Sequence, residues 1–194
     1  MILWLCVAAL LGAPLVAADL DSFQRKADMN PKDAGAQFNL GVVAYQSHRL
    51  DVAETAMAKA VKLAPKDAEA WELYGTILAG RDKPEDAVKA LHKSTDLDPK
   101  NPKRFKAWML LGKLQAESKD DKSLDAAVDA YEHASRLAPT DGRPRLNQGL
   151  LWARLNKDDK AIDALAEAAK LKGGELASRS LCVLYNKKGD FKRA

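Results

Sequence analysis

A regular beat of prolines and glycines runs through the chain. Pro31, Pro65 and Pro99 are equally spaced, at intervals of 34 and 34, and Pro139 follows 40 later. Gly41, Gly75, Gly112 and Gly149 keep nearly the same interval, at 34, 37 and 37. An amphipathic pattern of helix length repeated at that period describes a stacked array rather than one globular core. Each unit of such an array contacts only its neighbours, and the extended surface is where binding is expected.

The segments between the prolines read as helix pairs. Alanine, leucine, lysine and aspartate are frequent and β-branched runs are missing, which favours helix over sheet. Residues 34–67 form the first repeat. Its helices are AGAQFNLGVVAYQS and LDVAETAMAKAVKL, with Ala53, Met57 and Ala60 on one face of the second. The second repeat, 68–101, has Trp71, Tyr74, Gly75 and Leu78, then Ala87, Leu91 and Ser94, then Pro99. Pro84 falls in the first turn of its second helix, where a missing N–H costs nothing. The third, 102–141, has Trp108, Leu111 and Gly112, then Ala127, Tyr131 and Ala134, then Pro139. It carries two extra triplets, in NPKRF and in SKDDKS, at places where loops absorb insertions. The fourth, 142–174, ends at Gly173-Gly174, and 175–194 begins a fifth repeat that is incomplete. Residues 19–33 read as a capping helix with Leu20, Phe23 and Ala27 on one side.

This pattern closely resembles the tetratricopeptide repeat family, whose signature is W-x-x-L-G-x-x-Y, then A-x-x-x-F-x-x-A, then P. Trp71, Tyr74, Gly75, Ala87, Leu91 and Pro99 follow it, as do Trp108, Leu111, Gly112, Ala127, Tyr131, Ala134 and Pro139. Arg145 and Gln148 depart from it, standing where Trp and Leu are preferred. The resemblance covers nearly everything after residue 30. It implies an all-α fold, a right-handed solenoid of helical hairpins with an N-terminal capping helix. The physical reasons stand beside the family name. A small residue at the crossing lets two helices approach within about 8–10 Å, and no repeat buries its apolar faces alone.

Residues 1–18 differ from the rest. MILWLCVAALLGAPLVAA contains no charged side chain, and Val16-Ala17-Ala18 has the small-residue pattern of a signal-peptide cleavage site. The expectation is export, with cleavage before Asp19 and a periplasmic or secreted product. The alternative is a membrane anchor with a periplasmic array, since a segment of this length sits at the short edge for spanning a bilayer. A membrane role is expected only if residues 1–18 are retained. After cleavage Cys182 is the one cysteine, which excludes an intramolecular disulfide, and buried filler is its expected role. The net charge of +4 is too small a surplus to argue for nucleic acid, and none is expected as a partner.

The sequence offers little for catalysis. His48, His92 and His133 lie in separate repeats without metal-ligand spacing, and read as solvated surface groups. Asp120-Asp121 and Asp158-Asp159 begin or precede helices, where acidic residues suit the dipole. No enzyme activity, metal or cofactor is expected. The expected chemistry is recognition. By resemblance the first helices line a concave face, and the residues that fall there can be named. From repeat one they are Phe38, Asn39, Val42 and Tyr45, and from repeat two Glu69, Glu72 and Thr76. Repeat three gives Lys106, Met109 and Lys113, and repeat four gives Arg143, Leu146, Asn147, Leu150 and Arg154. The last helix adds Arg179, Asn186 and Lys187. Such a face is apolar and aromatic first, then acidic, then basic. Phe38 and Tyr45 are expected to stand uncovered until something binds. The lysine and asparagine clamp that chaperone co-factors of this family use for a terminal carboxylate is absent, because those places resemble Phe38 and Val42. The implied function is an adaptor or scaffold. Its partner is a protein or an extended peptide, with acidic residues toward the basic half. The alternatives are self-association through the incomplete last repeat, or a fragment of a larger envelope enzyme or assembly factor.

Overall fold

A computed structural model describes residues 19–118 and 120–189. These residues are helical throughout their ordered elements, apart from one isolated bridge between Asp141 and Lys172. Contacts divide the molecule between Leu97 and Asp98 into two units. Both the expected signal segment and residues 190–194 of the incomplete fifth repeat lie outside the described residues.

The first unit contains α1 (19–29), α2 (Ala34–Gln46), α3 (Leu50–Leu63), α4 (Ala68–Gly80) and α5 (Pro84–Leu97). Aspartates begin two of these helices. Asp33 accepts from the Gly35 N–H at 2.8 Å, and Asp67 accepts from the Glu69 and Ala70 N–H groups at 2.9 and 3.1 Å. Pro84 occupies the first position of α5. α1 lays Leu20 and Ala27 into a core with Leu40, Met57 and Val61, and Phe23 packs at its edge. The Gln37 amide of α2 donates to the Ala27 carbonyl at 3.1 Å. α5 is tied to α4 by the Ser94 hydroxyl, which donates to the Ala68 carbonyl at 2.6 Å.

The second unit contains α6 (Phe105–Ala116), α7 (Asp121–Leu137), α8 (Arg143–Arg154), α9 (Asp158–Ala168) and α10 (Ala177–Lys187). The two insertions take different forms. NPKRF becomes a single 3-10 turn, Pro102–Arg104, in which Asn101 accepts from the Lys103 N–H at 3.0 Å. SKDDKS becomes a capped entry into α7, where Asp120 accepts from the Ser118 hydroxyl at 2.5 Å and the Ser123 N–H at 2.9 Å. Those bonds, the Ser118 hydroxyl foremost, hold the Asp120 carboxyl at about 2, below the usual aspartate range. α9 is short and stops at Ala168, ahead of the glycine pair. The chain then folds back, and the Gly142 N–H donates to the Lys172 carbonyl at 2.7 Å.

One contact recurs in each hairpin of the described residues. A methyl added at Gly75 would lie 2.7 Å from Leu91 Cγ, at Gly112 2.8 Å from Tyr131, and at Gly149 2.6 Å from Leu165. Gly41 meets Met57 in the same way. The small residue on the first helix thus receives the large one of the second. The turns match too. His48, Asp82 and Asn156 each have φ of 56–57° and stand two residues after the last residue of a first helix. The next N–H reaches back to the carbonyls of Ala44, Leu78 and Trp152, which is the Schellman closure with a non-glycine residue in the left-handed position.

Candidate binding faces

The hairpin contact also sets which side chains face outward. Turning about 100° per residue along α4, Glu72, Thr76 and Glu69 form a stripe about a quarter turn from Gly75. The corresponding stripes of α2, α6, α8 and α10 hold the other expected groove residues. The stripes differ in chemistry and in availability.

In the first unit the apolar stripe is largely spoken for. Phe38 and Tyr45 are half-buried and pack against the core of Leu40, Met57 and Ile77, and Val42 is half-buried as well. The expectation that the two aromatics wait uncovered is therefore corrected: core side chains from adjacent helices take up part of each ring. Asn39 and Glu69 are exposed. Glu72 and Thr76 are half-buried, and the Thr76 hydroxyl donates to the Glu72 carbonyl at 2.9 Å.

In the second unit Lys106 and Lys113 are exposed on α6, two turns apart, and neither forms an ion pair among the described residues. Met109 between them leans on the cluster of Leu124, Tyr131 and Leu151. Leu146 is a second correction. It is 7% exposed and packs with Leu165, Ala177 and Leu184, so the following helix covers it. Asn147 beside it is half-buried and Leu150 is exposed. Several expected cations have partners. The Arg143 guanidinium donates to both carboxylate oxygens of Asp141, at 2.5–3.0 Å, and holds that carboxyl below its ordinary range. Arg143 also lies 5.6 Å from the Phe105 ring. Arg154 donates to the carbonyls of Ala116 and Ser118 at 2.5 and 2.8 Å. Lys187 pairs with Asp158 at 2.9 Å. Among the described residues Arg179 is exposed without an ion pair, and Asn186 turns its amide toward Cys182 Sγ at 3.8 Å.

Two other expectations change. Cys182 is half-buried rather than buried filler, because no helix follows α10 among the described residues. His133 is not a solvated group: it stacks on Trp108 with ring centres 4.2 Å apart and planes 8° from parallel. Among the described residues no three His, Cys, Asp or Glu side chains are grouped to hold a metal ion. No described helix is long and apolar enough to cross a membrane.

The tetratricopeptide repeat family model matches residues 17–68, 43–102 and 75–141. The chain belongs to the tetratricopeptide repeat family. No curated protein sequence gives a significant match. Similar solved structures include MamA, 24% identical, covering 82% of this chain and 84% of that one at a TM-score of 0.73. YrrB, described as a tetratricopeptide protein with an unusual peptide-binding site, is 18% identical over 93% of this chain and 88% of its own, at 0.72. PilF of Pseudomonas aeruginosa is 18% identical over 95% and 83%, at 0.69. At these identities the likeness establishes the fold: an all-α array of helical hairpins.

The tetratricopeptide repeat register exposes two features that reading the sequence missed. Carboxylates at the start of a second helix reach cations in the next hairpin. Glu54 meets Lys83 at 2.7 Å and also Arg81, Asp158 meets Lys187, and Asp159 meets Lys188. Three of these ties share one separation along the chain, 29, and that spacing is the signal that was available. The second feature is the place of the signature tryptophan. Trp71 and Trp108 fill it in two repeats, and Gln37 and Arg145 stand there in the first and fourth. Each of the latter borders a cleft, of about 240 and 280 Å³ respectively.

Proposed function

We propose that this protein is a protein-interaction scaffold that holds an extended partner segment against the outward stripes of its first helices. The observation that carries this reading is the pair Lys106 and Lys113. Among the described residues they are exposed, without an ion pair and two helical turns apart, so their side chains leave α6 about 10 Å apart along its axis. That spacing suits carboxylates three residues apart on a polyproline-II segment, which share one face at about 9 Å. Arg179 supports the same preference for an acidic segment on the second unit. Arg143, Arg154 and Lys187 are engaged internally, Arg143 with a neighbouring aspartate and Arg154 and Lys187 with groups of the preceding hairpin.

The test is charge reversal. Lys106→Glu with Lys113→Glu should leave helicity and melting nearly unchanged, because exposed charges contribute little to folding. The pair should weaken the natural partner at least tenfold, and binding by the unaltered protein should fall as salt rises. Undiminished binding would remove these stripes as the site.

Residues 1–18 have the composition of an export signal, and we propose a cell-envelope protein cleaved before Asp19. A reporter fused after Asp19 should cross the inner membrane only when 1–18 are present. A mature chain that keeps Met1 in the cytoplasm would overturn this.

A further inference from the structure

We propose that the cleft over Gln37, between α1 and α3, receives a tryptophan side chain presented by a protein partner. In register, this is the slot that a tryptophan of the same chain occupies in the next two repeats. Trp71 shows what an indole does there: its ring packs at the edge of the core and its N–H donates to the Pro65 carbonyl at 3.0 Å. Gln37 is a smaller occupant, and an open cleft of about 240 Å³ borders it. A cavity of about 150 Å³ is enough to take up benzene.

The chemistry of the slot agrees with its size. Gln37 is 1% exposed. The Ala27 carbonyl can only accept, so the amide nitrogen faces it and the amide orientation is settled. The Oε1 atom is then a buried acceptor without a donor. Buried polar groups are rarely left so. An indole supplies what is lacking, a single N–H on a flat apolar body. Leu40, Val52 and Ala56 give the cleft its apolar part, beside the polar Gln24, Asp51 and Thr55, and Lys59 brings a cation to the ring. The cleft at Arg145 is the internal contrast. That guanidinium donates to Gln148 at 3.0 Å and pairs with Glu167 at 3.2 Å, so it satisfies itself and asks for nothing. The Gln37 slot lies about 100° round α2 from Phe38, so the proposal stands apart from the first-helix stripes.

The full chain, labelled with nitrogen-15, is titrated with N-acetyl-tryptophanamide and with its 1-methylindole analogue, which lacks the N–H. The expected result is a saturable shift of the Gln37 side-chain amide and of the Thr55 and Lys59 backbone amides. The methylated probe should bind about tenfold more weakly, the worth of one hydrogen bond. Gln37→Trp, which fills the slot from within, should abolish the shifts while the helical circular dichroism is retained. Gln37→Leu should bring the indole down to the affinity of its methylated analogue. The proposal is overturned by no shift at these positions, by shifts confined to Phe38–Tyr45, or by equal binding of the two probes. If Gln37→Trp does not fold, the leucine variant and the probe pair decide. A natural partner that loses affinity on reversal of Lys106 and Lys113 but not with Gln37→Trp overturns this proposal and leaves the first-helix reading in place.

Discussion

The two units build the same hairpin under different constraints. In the first, the step from Gly41 to Met57 equals the step from Gly75 to Leu91, and the connecting turns are tight. In the second, the step from Gly149 to Leu165 is the same again, but the step from Gly112 to Tyr131 is longer by a triplet. The contact survives that insertion because the Ser118–Asp120 cap absorbs it. Tyr131 also replaces an aliphatic group with a ring, and burial pushes its phenol up to about 12, so it sits there neutral. What the repeats share is therefore the meeting of a small and a large residue, not the length of the loop between them.

The largest test of that comparison is removal of the large partner. Leu91 and Leu165 are both 0% exposed. Leu91→Ala and Leu165→Ala should each cost about 2–5 kcal/mol in urea unfolding. A loss under about 1 kcal/mol in either unit would show that the shared contact is not what holds that hairpin. The next test adds bulk to the small partner. Gly75→Leu should cost about 1–3 kcal/mol through overpacking. Gly80→Leu should cost much less, because the nearest atom to a methyl there is Leu50 Cδ1 at 3.7 Å. Equal thermal melts for the two variants would sink the assignment of helix faces.

Smaller effects separate the surface ties. Glu54 is 20% exposed and bonds two cations, whereas Asp159 is 86% exposed and bonds one. Glu54→Gln should cost up to about 1 kcal/mol and Asp159→Asn close to nothing, with both differences shrinking in high salt. The smallest effect concerns the cap that the second unit alone requires. Asp120 has its carboxyl at about 2. Its contribution is fully present above the ordinary aspartate range and is lost as pH falls toward 2. A carbon-13 titration should show this, and Ser118→Ala should move the midpoint upward. An unchanged midpoint would mean that the Ser118 hydroxyl is not the cause.

Element positions were legible because glycine, proline and apolar period agree at each of them. The predicted LDVAETAMAKAVKL coincides with α3, and Pro84 opens α5 as expected. The candidate faces were less legible. Phe38 and Leu146 occupy equivalent places beside their glycines, yet one is half-buried and the other lies in the core. Which of the two happens depends on side chains of an adjacent helix, and no local pattern records that. Arg143, Arg154 and Lys187 read as basic surface, but their partners are a neighbouring aspartate, the carbonyls of Ala116 and Ser118 and a carboxylate of the preceding hairpin. Charge alone could not distinguish them from Lys106 and Lys113.

The common interval from Glu54 to Lys83, and again from Asp158 to Lys187, bears on how such a chain changes length. Both ends of the tie are written within a single repeat period. A copying error that duplicates one hairpin therefore delivers a new carboxylate to the old cation and a new cation to the old carboxylate. The glycine and its large partner travel inside the copied piece. An added hairpin of this kind arrives already joined on both sides. Gain or loss of a whole repeat is a gentler step in the history of this chain than an equal length inserted within a helix.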